Sequence, residues 1–73
     1  MNPDVMNAEQ VARFLNIGVG KTRRMLRTGI IPAIRFGNEY RVYKPVLEDW
    51  LKASTGKHIT SGMPDSVRDA LNN

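Results

Sequence analysis

The sequence predicts a small, mostly helical domain with one β-hairpin, in the order α-α-β-β-α, and three observations carry that prediction. Two capped apolar stripes at helical spacing stand on either side of a short break around Asn16-Ile17-Gly18. After Pro32 the apolar period changes from helical to two, around a central Gly37-Asn38 pair. Pro45 then leads a third helical stripe. The domain so outlined covers residues 6–55, after a flexible lead-in at 1–5 and before a polar tail at 56–73.

The first helix is expected over residues 8–15. Asn7 is a good N-cap, Gln10 stands at the reciprocal capping-box position, and Met6 and Val11 bracket the cap as a hydrophobic staple. Val11, Ala12, Phe14 and Leu15 make its apolar stripe. The second helix runs from Val19 to Thr28, with Gly29 as a left-handed stop. Steps of about 100° per residue put Val19, Thr22, Met25 and Leu26 on one side and Gly20, Arg24 and Arg27 opposite, with Lys21 and Arg23 on the flanks. Two short helices this close together have the spacing of a helix-turn-helix.

In the hairpin, a three-residue loop (Gly37, Asn38, Glu39) pairs Phe36 with Tyr40 and Ile34 with Val42, so that all four share one face. A two-residue loop would set Ile34 opposite Arg41. The three-residue register places Arg35 across from Arg41, a like-charge contact that an external anion relieves. Tyr40, Phe36 and Trp50 fall on apolar faces and read as core. In the third helix Val46, Leu47, Trp50 and Leu51 form the apolar side, with Glu48 and Asp49 early and Lys52 late, and the helix ends near Ser54-Thr55-Gly56. In the tail, residues 64–71 can form one more short helix, with Met63, Val67, Ala70 and Leu71 as a thin strip.

Composition excludes several function classes. At 73 residues there is room for one core and hardly for a catalytic cleft as well. The absence of cysteine rules out a disulfide framework and a zinc finger. No apolar run approaches the ~20 residues that cross a bilayer, and no secretory leader is visible. His58 is alone in a polar tail, and no Ser/His/acid or paired-carboxylate arrangement occurs. Gly18-Val19-Gly20-Lys21-Thr22 is not a phosphate-binding loop, because the required earlier glycine is Leu15 and no strand precedes it. The expectation is a cytoplasmic, nucleoid-associated protein that is no enzyme, with no cofactor, no metal, no membrane partner and no small-molecule substrate.

The charge pattern points to a polyanion. Between Gly20 and Pro45 seven cations (Lys21, Arg23, Arg24, Arg27, Arg35, Arg41, Lys44) face a single acid, Glu39, whereas the rest of the chain has six acids and four cations. Four of those cations lie within seven residues of the second helix, and no acid stands three or four positions away to pair with them inside it. A concentrated field of this kind is the footprint of nucleic acid. The candidate DNA-binding residues are Gly20, Lys21, Arg23, Arg24 and Arg27 on the helix and Arg35, Asn38 and Arg41 on the hairpin. Arginine can grip guanine with two hydrogen bonds, and a glycine at a helix start lets the backbone approach a phosphate closely. A basic face that meets an acidic protein is the competing reading.

The run from Met6 to Leu51 resembles the excisionase-type DNA-binding domain, a short winged helix-turn-helix of the MerR-like superfamily. The resemblance lies in Asn7-x-x-Gln10-Val11-Ala12-x-x-Leu15, Ile17-Gly18, and Lys21-x-Arg23-Arg24-Met25. It continues through Arg27-x-Gly29-x-Ile31-Pro32-Ala33-Ile34-Arg35-x-Gly37, Tyr40-Arg41-Val42 and Leu47-x-x-Trp50-Leu51. It implies that the second helix enters the major groove and the wing lies near the adjacent minor groove. It also implies a mobile-element or prophage protein, a recombination directionality factor that acts beside an integrase. Such proteins bind repeated sites side by side and bend the DNA, and the same domain also serves small transcriptional regulators. Many relatives carry Ser or Thr where this chain has Gly18, and a basic wing tip where it has Asn38-Glu39.

Overall fold

A computed structural model describes residues 2–56 of the chain. Three helices and three short strands follow in the order β1 (Val5–Met6), α1 (Ala8–Leu15), α2 (Val19–Arg27), β2 (Ile34–Phe36), β3 (Glu39–Tyr43) and α3 (Lys44–Ser54). The strands form one antiparallel sheet in the order β1-β3-β2. This is a winged helix-turn-helix, as the periodicity predicts. The expected tail helix at 64–71 and His58 lie outside the described residues.

Local chemistry accounts for the helix ends. The Asn7 side chain accepts from the Gln10 N–H at 2.8 Å and the Gln10 side chain accepts from the Asn7 N–H at 2.8 Å, which completes the capping box. At the other end Asn16 adopts φ 58°. Its N–H bonds the Arg13 carbonyl at 3.2 Å while Ile17 N–H bonds Ala12 at 3.0 Å, the paired bonds of a Schellman stop. The same device ends α2. Gly29, at φ 81°, bonds Leu26, and Ile30 N–H bonds Met25 at 2.9 Å. α3 starts on Lys44-Pro45, and its first N–H donates to the Asp4 carbonyl at 2.7 Å. Glu48 and Asp49 therefore fall in its second turn, where the helix dipole has largely faded.

Met6, Val11, Met25, Leu26, Ile31, Val42 and Leu47 form the core, so every element but β2 contributes a buried side chain and the turn after α2 adds Ile31. Leu47, Val11, Val42 and Ile31 are almost wholly buried. Each such aliphatic group contributes about 1.5–3 kcal/mol. Tyr40 and Trp50 are half-buried against this cluster.

The hairpin corrects three expectations. Its loop is the two-residue Gly37-Asn38, with Phe36 opposite Glu39, Arg35 opposite Tyr40 and Ile34 opposite Arg41. Gly37 alone takes a positive φ, 62°, the condition of a type II′ turn whose twist matches that of paired strands. Turn geometry thus sets the register, and Ile34 and Phe36 turn outward, 62% and 58% exposed. Phe36 is therefore not core, and Arg35 and Arg41 stand on opposite faces rather than repelling one another across the ladder. Third, Val5, expected in the lead-in, pairs with Tyr43, and Met6 pairs with Val42.

Candidate nucleic-acid interface

α2 is seated by one side and leaves the other open. Thr22, Met25 and Leu26 are buried, and the Thr22 hydroxyl donates to the Gly18 carbonyl at 3.0 Å, which satisfies the one buried polar side chain on the helix. Gly20, Lys21, Arg23, Arg24 and Arg27 are all exposed. The side chains of Lys21, Arg24 and Arg27 have no hydrogen-bond or ion-pair partner among the described residues. A Cβ built on Gly20 would meet nothing within 4 Å, so no packing inside the domain requires glycine there. Gly18 caps the helix with its backbone only, in extended conformation.

Arg23 differs from its neighbours. Its guanidinium pairs with the Glu9 carboxylate of α1, across the turn between the two helices. The rule that no acid lies within helical reach holds inside α2, but it misses this contact because Glu9 is brought in by the fold from fourteen residues away. No local sequence signal marks the pair.

The hairpin residues are held in distinct ways. Arg35 donates through Nε to the Gly37 carbonyl at 2.6 Å, and its guanidinium lies 5.9 Å from the Tyr40 ring centre. The Tyr40 ring thus backs the Arg35 side chain, a contact the three-residue register conceals. Arg41 donates to the Tyr40 carbonyl at 2.8 Å and lies 3.5 Å from the Glu39 carboxylate. Asn38 sits exposed in the turn. Lys44 is drawn away from the set, its ammonium over the Phe14 ring at 5.9 Å.

The first turn of α1, Arg23 of α2 and the hairpin tip enclose an open cleft of about 240 Å³, lined by Asn7, Ala8, Glu9, Arg23, Asn38, Glu39, Tyr40 and Arg41. Of the candidates it brings together Arg23, Asn38 and Arg41, while Gly20, Lys21, Arg24, Arg27 and Arg35 do not line it. A smaller, mostly apolar groove of about 190 Å³ lies between α2 and α3, bordered by Leu15, Ile17, Met25, Trp50 and Leu51, with Lys21 on its rim. No helix among the described residues is long and apolar enough to cross a membrane.

A family model described as a helix-turn-helix domain matches residues 5–55, from the start of β1 to the end of α3. No curated protein matches the chain, and no solved structure does. Such a domain supports double-stranded DNA as the partner.

Proposed function

The chain belongs to the helix-turn-helix domain family, and on that premise we propose that it is a sequence-specific DNA-binding excisionase. In this reading it occupies repeated sites side by side, bends the DNA and directs an integrase toward excision of a mobile element. It works in the cytoplasm on the nucleoid and has no catalytic step of its own. α2 lies in the major groove, with Lys21 and Arg24 near base edges at its start and Arg27 on the backbone. Arg35 and Arg41 hold phosphates from the wing, beside Asn38. The tail from Thr55 onward is the segment proposed to touch the integrase or a neighbouring copy.

One observation carries most weight. Three cations on the open side of a helix seated by its other side have no internal partner. Three nearby like charges cost energy in the free protein and are neutralised by a phosphodiester backbone.

The test is a footprint on element-end DNA together with a salt titration. An excisionase gives several phased, same-direction sites next to an attachment site, whereas a single promoter operator makes the protein a transcriptional regulator. Use of four to six cations gives a log–log salt slope of about −4 to −5. A slope near zero would remove DNA as the partner and leave an acidic protein in its place.

A further inference from the structure

Two arginines on the walls of the cleft between α1, α2 and the hairpin tip each carry a carboxylate that the helix-turn-helix architecture does not call for. Arg23 is paired with Glu9 and Arg41 with Glu39. Both pairs are open to water: the side chains of Arg23 and Glu9 are each 53% exposed, and those of Arg41 and Glu39 are 35% and 71% exposed. Exposed pairs of this kind add little to stability, so holding the fold together does not explain them. Each also engages only one or two of the five donors on its guanidinium, which leaves the planar fork able to take a second anion.

The cleft between them has the chemistry of a small anion site. Its volume of about 240 Å³ holds a single tetrahedral group, and Asn38 and Tyr40 bring further polar groups to the wall. Its apolar surface is limited to Ala8 and the Tyr40 ring, beside six polar or charged residues. A phosphodiester offers two non-bridging oxygens, one for each guanidinium, as charge-assisted hydrogen-bond acceptors.

We propose that this cleft seats one backbone phosphate between Arg23 and Arg41, and that Glu9 and Glu39 are built-in counterions which that phosphate displaces. The inference rests on the reading that the chain binds duplex DNA, and it adds a regulatory element to it. Five of the candidate cations then fall into two groups. Lys21, Arg24 and Arg27 meet DNA with their charge unspent, whereas Arg23 and Arg41 must first give up an internal partner. The two carboxylates therefore lower the affinity of a single protomer, and they do so through identified arginines rather than through net charge.

The experiment is a double-mutant cycle on a short duplex of random sequence, about 20 base pairs or two turns of B-DNA, read by fluorescence anisotropy at low salt. Wild type, E9Q, R23Q and E9Q/R23Q are compared, with E48Q on α3 as an exposed control of equal charge change. E9Q is expected to tighten binding about three- to fivefold, the upper range for release of an exposed pair, and E48Q by less than about twofold. In the R23Q background E9Q is expected to have no more effect than E48Q. The E39Q and R41Q pair gives the same cycle on the opposite wall, should either first-wall variant fail to fold in a circular-dichroism melt. Additive effects of E9Q and R23Q, or a weaker complex for E9Q, would overturn the displaced-counterion role while leaving DNA binding intact. Failure of wild type to bind any duplex would overturn both.

Discussion

The guanidinium of Arg35 stands 5.9 Å from the centre of the Tyr40 ring, directly across the β2–β3 ladder, with its Nε bonded to the Gly37 carbonyl at 2.6 Å. A long flexible side chain is thereby held at two points. Its charge stays available at the wing while much of its rotamer entropy is already lost in the free protein.

That arrangement predicts a role for Tyr40 in binding. Tyr40→Leu keeps apolar contact with the core but removes the ring face, a loss of about 0.5–1 kcal/mol of cation–π attraction. Affinity should fall about two- to fivefold on cognate and random duplexes alike. Titration of both sequences checks it, and unchanged affinity for both would mean that Arg35 stays off the DNA.

Arg24 should behave differently. Arg24→Ala is expected to cost about 1–3 kcal/mol on the preferred sequence and to relax the preference at one base position. Arg35→Ala weakens all sequences more evenly and flattens the salt slope by roughly one unit. A base-by-base competition assay separates the two patterns; equal losses on every sequence for Arg24→Ala would place it on phosphate alone.

Gly20→Ala should move stability and binding in opposite directions. An added methyl group meets nothing within 4 Å inside the domain, and alanine raises helix propensity by up to about 1 kcal/mol over glycine. The melting temperature should therefore hold or rise by a few degrees. Binding should weaken at least severalfold, because the methyl group keeps the start of α2 from close approach to a phosphate. A melt and a titration on one preparation check both halves.

Ile34→Thr tests the hairpin register. Ile34 points outward and is 62% exposed, so the substitution should change stability by no more than about 0.5 kcal/mol in a urea melt. In the three-residue-loop register Ile34 would be buried opposite Val42, and a hydroxyl there would cost about 1–3 kcal/mol.

What could be read from the chain, and what could not, follows the range of the interactions. Asn7 with Gln10 and Gly29 after α2 are local chemistry, written within four residues of where they act, and they appear where the spacing put them. The inward side of α2 was legible too, because the 3.6-residue period sorts Thr22, Met25 and Leu26 from Arg24 and Arg27. Apolar alternation alone misplaces the hairpin register, because in a two-residue loop the glycine's positive φ decides. β1 is two residues long and pairs with a strand nearly forty positions later, and Glu9 reaches Arg23 only once α1 and α2 are packed. Contacts of that kind leave no periodic trace.

The cap at Gly18 and the turn at Gly29 fix the two ends of α2, and its inward side chains fix its roll, so positions 20, 21, 24 and 27 are not among those that keep it in place. Positions 20, 21, 24 and 27 can be rewritten without touching what folds the domain. On the proposed reading, one scaffold can thus be given new addresses on DNA by a handful of substitutions.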